Sequence, residues 1–165
     1  MARMSVKGTA EYAMKLSKLG KNGEVIAGKA IYKAAEIVAD QIKANIKALQ
    51  AVPDVENIKA YRSGEKSQLS YRQKEGLVES FGITKMELDD TGYYNVKLGF
   101  DGYNEVKTKK YPKGQPNQLI ARVVESGSPY MDKMPFIRTA VNSTKKSAVE
   151  IMQQIIDEES KKIMD

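Results

Sequence analysis

Between Glu24 and Leu49, the residues Ala27, Ile31, Ala34, Ala35, Val38, Ile42, Ile46 and Leu49 recur at intervals of three and four. Lys29, Lys33, Glu36, Asp40, Lys43 and Lys47 take much of the remaining circumference. This period fits one amphipathic helix, about 39 Å long at 1.5 Å per residue, whose small Ala34 and Ala35 allow a second element to approach closely. The expected partner is a final helix that opens near Met134-Pro135, proline being suited to a first turn. It runs to about Lys162 with Ile137, Ala140, Val141, Ala148, Ile151, Met152, Ile155 and Ile156 inward. These two helices form the expected scaffold.

The rest of the chain reads as shorter pieces. Residues 1–22 are expected to form an N-terminal helical arm, with Ala10, Ala13, Met14, Leu16 and Ser17 near one face and Gly20-Lys21-Asn22-Gly23 as its stop. Pro53 closes the long helix, since it restrains the residue before it and donates no backbone hydrogen bond. Residues 51–69 read as a mobile loop, polar over 55–68 and containing Ser63-Gly64. Ser70 to Phe81 suits a short helix with Leu77, Val78 and Phe81 inward. The period then changes. Ile83 to Leu88 favours a strand, and Asp89-Asp90-Thr91-Gly92 supplies a turn. Tyr94, Val96, Leu98 and Phe100 alternate with polar or small residues, as in a hairpin with one buried face. A third strand is expected around Tyr103 to Thr108, then a basic exposed loop over 107–117. A helix from Gln118 to Glu125 follows, stopped by Ser126-Gly127-Ser128-Pro129. Helices, a small antiparallel sheet and helices again make a single α+β domain over 1–165, with the long N-terminal helix and the C-terminal helix packed on the sheet.

The 165 residues include no cysteine, histidine or tryptophan, which excludes disulfide scaffolds, Cys/His zinc sites, thiol nucleophiles and imidazole-dependent triads. A chain of this length buries one core, leaving roughly 8,000 Å² of surface when compact. No apolar run approaches the roughly 20 residues that span a bilayer. Met1-Ala2-Arg3-Met4-Ser5 leads into charged residues rather than an apolar segment, so synthesis in the cytoplasm without a secretory signal is expected. The net charge of +6 is zoned: +5 over 1–50, −2 over 51–90, +6 over 91–147 and −3 over 148–165. Such zones suit either contact with nucleic acid or docking of like subunits.

Direct chemical signatures are weak. No segment matches a phosphate-cradling loop or a dinucleotide fingerprint. Glu87, Asp89, Asp90 and Asp101 lack the spacing and glycine of a calcium loop and are better explained as turn and strand-end carboxylates. Asp90 with Glu105-Val106-Lys107 loosely resembles the carboxylate and Glu-x-Lys arrangement of metal-dependent nucleases. Nine tyrosines with many basic groups raise single-strand binding by stacking, but adjacent Tyr93 and Tyr94 point to opposite faces of a strand. A nucleic-acid-binding protein and, less favoured, a nuclease are therefore the alternatives. No cofactor, metal or catalytic residue is assigned.

The most specific text is Asn117-Gln118-Leu119-Ile120-Ala121-Arg122-Val123-Val124-Glu125-Ser126-Gly127-Ser128, followed by Met134-Pro135-Phe136-Ile137-Arg138-Thr139-Ala140. It resembles the tailed-phage head-tail joining or tail-completion family, often called gene-product-ten-like. Members of that family carry an Ala-x-x-x-Glu-x-Gly-Thr/Ser element shortly before a Pro-Phe-Ile/Met-Arg-x-Ala element that opens the last helix. Gly28-Lys29-Ala30 is similar to the family's Lys-Ala start, and Thr139 departs from it, proline being common there. The resemblance runs from about Glu24 to Ile156.

It implies a non-enzymatic virion or prophage neck component, found in the virion and in the host cytoplasm during assembly. Such a protein is a homo-oligomer in the particle, a hexameric ring, can be a monomer when free, and docks to phage neck and tail proteins. No membrane and no specific nucleic acid is implied as a partner. Within the motif, Gly127 is expected to end a helix, Pro135 to open the next, Phe136 to anchor it in the core and Arg138 to pair with Glu125. Lys107, Lys109, Lys110, Tyr111 and Lys113 are the candidate contact loop, with 55–68 as a second adaptable contact.

Overall fold

A computed structural model describes the chain from residue 9, and its side chains from Met14 onward. The inferences drawn from Met1 to Ser5, and the inward positions given to Ala10 and Ala13, lie outside the described residues. Among the described residues, six helices and a small antiparallel ribbon form an α+β fold.

The long helix, α2, spans Gly23–Ala48 and buries Ile26, Ala30, Ala34, Ala35, Ala39, Ile42 and Ile46. Its partner α6, Ile137–Met164, buries Ala140, Thr144 and Ala148. The two run antiparallel. Asn45 Nδ2 on α2 donates to the Phe136 carbonyl at 2.9 Å where α6 begins, and near the other end Lys29 Nζ meets Glu159 Oε2 at 2.6 Å. Alanines on both sides let the backbones close together, and the Thr144 hydroxyl is satisfied within its own helix by the Ala140 carbonyl at 2.7 Å. Helix α1, Thr9–Lys21, packs against α6 and α2. Met14 and Leu16, expected on its inner face, are exposed, while Lys15 and Leu19 are half-buried. On a helix this short, packed along one side only, the two intervals of a stripe compete, and here the 15/19 pair takes the contact.

Larger side chains collect where further elements cover the C-terminal half of α2. Helices α3 (Asp54–Ser63), α4 (Tyr71–Ser80) and α5 (Asn117–Ser126) occupy this end. Leu77 of α4 and Ile120 and Val124 of α5 join Ile42, Ile46, Leu69, Phe81 and Phe136 in the core. Helix α4 opens with a reciprocal capping box, in which Ser70 Oγ accepts from the Gln73 amide and Gln73 Oε1 accepts from the Ser70 amide.

The segment read as a loop over 55–68 is largely α3. Pro53 precedes it, Asp54 and Glu56 complement the dipole of its first turn, and Gly64 at φ 74° ends it. The periodic signal is missing because α3 buries nothing: Val55, Ile58 and Tyr61 all lie exposed.

The ribbon is one hairpin with an interruption. Strand β1 (Phe81–Ile83) pairs with β4 (Leu98–Phe100), Phe81 opposite Phe100, and β2 (Glu87–Leu88) pairs with β3 (Tyr94–Asn95). Ile83 to Leu88 is thus two short strands, with Thr84 bridging the gap by hydrogen bonds to Lys97. At the tip, the Asp89 carboxylate accepts from the Thr91 and Tyr93 amides and the Thr91 hydroxyl. Phe81 and Phe100 meet tilted with centroids 5.1 Å apart, and Phe100 and Phe136 edge-on at 6.0 Å, linking the ribbon to the start of α6. The expected third strand at Tyr103 to Thr108 is absent apart from a single bridge between Tyr103 and Pro116. The Asn104 side chain captures the Val106 amide, and Thr108 and Tyr111 turn back on each other, so pairing stops after the two backbone bonds that Gln115 makes with Asn104 and Val106.

The accessible surface is 12035 Å², against the roughly 8,000 Å² of a compact monomer of this size. Two long helices side by side, with a thickened end, leave much area uncovered.

Candidate functional site

The two halves of the 117–140 motif meet at Glu125. Helix α5 ends at Gly127, whose amide donates to the Val123 carbonyl at 2.7 Å and whose φ of 78° suits glycine. A Cβ there would stand 3.2 Å from the Lys133 amide nitrogen and from its Cβ. Ser128 Oγ then accepts from the Tyr130 and Met131 amides, and the Met134 amide returns to the Val124 carbonyl at 2.7 Å. This folds 127–135 tightly against α5 and delivers the start of α6 to the Glu125 side chain.

Glu125 Oε2 accepts from the Phe136 and Ile137 amides at 2.8 Å each, and Oε1 accepts from the Arg138 amide at 3.0 Å. The carboxylate therefore satisfies three of the amides that a helix start leaves without intrahelical partners, and it sits at the positive end of the helix dipole. Half-burial pushes its pKa up, but the amides of Ile137, Arg138 and Phe136 outweigh this and hold it below the ordinary value. The expected pairing of Glu125 with the Arg138 guanidinium is corrected: Arg138 is engaged through its backbone, and its charge assists only at longer range. Pro135 is also displaced. It stands outside the helix, before Phe136 at the cap, and its carbonyl accepts from the Thr139 hydroxyl at 2.7 Å. Phe136 is buried in the core as expected.

The basic loop rises from a hydrogen-bonded base. The Asn104 amide donates to the Gln115 carbonyl at 2.9 Å and the Gln115 amide to the Val106 carbonyl at 3.1 Å. Lys107, Lys109, Lys110 and Lys113 are exposed, and Lys110 Nζ lies 5.4 Å from the centre of the Tyr111 ring. Lys107 and Thr108 face α3 across a groove of about 490 Å³ that Ile58 and Tyr61 also line. The residues of the nuclease-like arrangement are not assembled: Asp90 is in the turn at the ribbon tip, while Glu105 lines a cleft beside α4. Among the described residues no three carboxylates gather closely enough to hold one metal ion.

That cleft, of about 520 Å³, is the feature the sequence pattern does not show. Glu75, Glu79, Asp101 and Glu105 line it, together with Asn104 and Asn117. One signal was available: Glu75 and Glu79 are a like-charge pair four residues apart on a ten-residue helix, an arrangement that costs a little stability. Asn104 and Asn117 gave none, since nothing local distinguishes a buried asparagine from a turn asparagine.

Among the described residues, no helix is long and apolar enough to cross a membrane. Compared with protein-family models, curated proteins and solved structures, the chain matches none.

Proposed function

We propose that this chain is a structural component of a phage or prophage neck, which joins head to tail by assembling with copies of itself into a ring, hexameric by resemblance, and docking to neck and tail proteins. The observation that carries the proposal is the order of the two motif elements, from Ala121 to Ser128 and from Pro135 to Ala140, which Glu125 ties into one rigid corner.

The test is genetic and structural together. Deleting the gene from its phage is expected to leave filled heads and finished tails that do not join, with joining restored by the protein supplied in trans. Normal particle yield without the protein overturns the proposal. The alternatives give different results: log-linear loss of DNA affinity with salt for a nucleic-acid binder, or magnesium-dependent cleavage abolished by Asp90→Ala or Glu105→Ala for a nuclease.

A further inference from the structure

Three buried side-chain atoms lack a hydrogen-bond partner among the described residues: Ser80 Oγ, Asn104 Nδ2 and Asn117 Oδ1. All three residues line the acidic cleft. Asn104 and Asn117 are 4% and 3% exposed, and each is half satisfied. Asn104 Oδ1 holds the Val106 amide at 2.9 Å and Asn117 Nδ2 donates to the Asp101 carbonyl at 2.9 Å, so the opposite end of each amide is the unmet one. Native structures rarely leave such groups unpaired, and all three stand in the wall of one cleft, themselves closed to solvent.

The chemistry of the cleft selects a partner. Its four carboxylates make no ion pair among the described residues and do not converge as metal ligands, so they suit positive charges spaced apart. The unmet groups are an acceptor, a donor and a hydroxyl. A lysine-bearing peptide loop supplies such charges, one ammonium on each side chain, and carries both donors and acceptors in its backbone.

The chain carries such a loop, with Lys107, Lys109, Lys110 and Lys113 exposed and also outside any ion pair among the described residues. It does not serve its own cleft. Arg72, fixed to Asp54 at 3.1 Å, lines both hollows and stands between them, with the cleft on one side and the Lys107 groove on the other. We infer that the basic loop of one copy docks into the acidic cleft of the next. Donor and acceptor patches are different surfaces, so the contact passes from copy to copy and closes where rotation permits. This rests on the ring assembly proposed above and names the contact that makes it.

The test is a charge exchange in the full chain, at exposed positions outside the core. One variant carries Glu75→Lys, Glu79→Lys and Glu105→Lys; the other carries Lys109→Glu, Lys110→Glu and Lys113→Glu. Self-association is followed by sedimentation from micromolar to about 1 mM at low salt, with crosslinking to locate the contact. Each variant alone is expected to associate at least about 100-fold more weakly than the wild type, because like charges then face each other. An equimolar mixture is expected to recover association, since every loop again meets a cleft of opposite sign. If the wild type associates and neither variant changes it, or the mixture stays apart, the contact is wrong while ring assembly stands. A wild type showing neither association nor a loop-to-cleft crosslink at about 1 mM overturns the inference, and the particle-joining test then decides the function separately.

Discussion

Replacing Glu125 tests the corner on which the whole C-terminal half turns. Its two oxygens hold three backbone amides at 2.8, 2.8 and 3.0 Å. Hydrogen bonds to a charged group contribute about 1.5–3 kcal/mol each, and a carboxylate at a helix start a further 0.3–1 kcal/mol or so. Glu125 is only half-buried, so water replaces part of this after truncation, and Glu125→Ala is expected to cost about 2–4 kcal/mol. For a chain of this size that lowers the melting temperature by roughly 5–15 °C. Glu125→Gln keeps the shape but loses the charge and one acceptor, at a cost of about 1–2 kcal/mol.

The pH dependence separates a charged cap from mere packing. Because the folded pKa lies below the ordinary 4.5, the carboxylate's contribution is fully present above that value and is lost as pH falls through the folded one. Urea unfolding followed by circular dichroism should therefore show the gap between wild type and Glu125→Gln constant near neutrality and closing in acid. A gap that is absent at pH 7, or unchanged between pH 7 and 3, refutes the cap.

Two further outcomes follow from other places in the molecule. Gly76 faces the two asparagines of the cleft, and a Cβ there would sit 2.6 Å from Asn117 Oδ1 and 2.7 Å from Asn104 Cβ; Gly76→Ala should therefore destabilise by about 1–3 kcal/mol through overpacking, and a chemical-denaturation midpoint equal to wild type would contradict this geometry. Glu159 is pulled down to about 2 by the Lys162 ammonium and then by that of Lys29, so its share of stability is present above 4.5 and disappears as pH falls through about 2. Carboxyl NMR should find the lowered midpoint and see Lys29→Ala raise it; an ordinary midpoint in low salt would mean the pair between α2 and α6 is not held in solution.

How much of this was legible follows from where each residue finds its energy. Ala34, Ala35, Ile42 and Ile46 bury one face of a long helix, and burial of that kind writes a period into the sequence. Phe136 and Gly127 were legible for the same local reason, one by its bulk beside a helix start and the other by its backbone freedom. Helix α3 leaves no such mark, because its apolar residues face outward and nothing in its pattern distinguishes it from a polar loop. The motif puts Glu125 at the right corner, but its partners there are backbone amides. Charge suggests Arg138 from sequence, whereas a helix start offers three converging amides that no residue type announces. The cleft was invisible because it joins residues from 72 to 117 that meet only after α4 and α5 pack.

The distribution of unmet polar groups gives the fold its direction. Helix seams, capping box and corner all satisfy their donors and acceptors internally, down to Thr144 within α6 and Ser70 at the head of α4. Against that background, three unpaired atoms around one acidic hollow are not general looseness, for looseness would scatter them. Each unmet buried group costs about 1–3 kcal/mol, and a domain of this size has only about 5–15 kcal/mol of net stability. The docking inferred above, of the lysine loop beyond Arg72 into this hollow, would bring the two unpaired sets together in one contact.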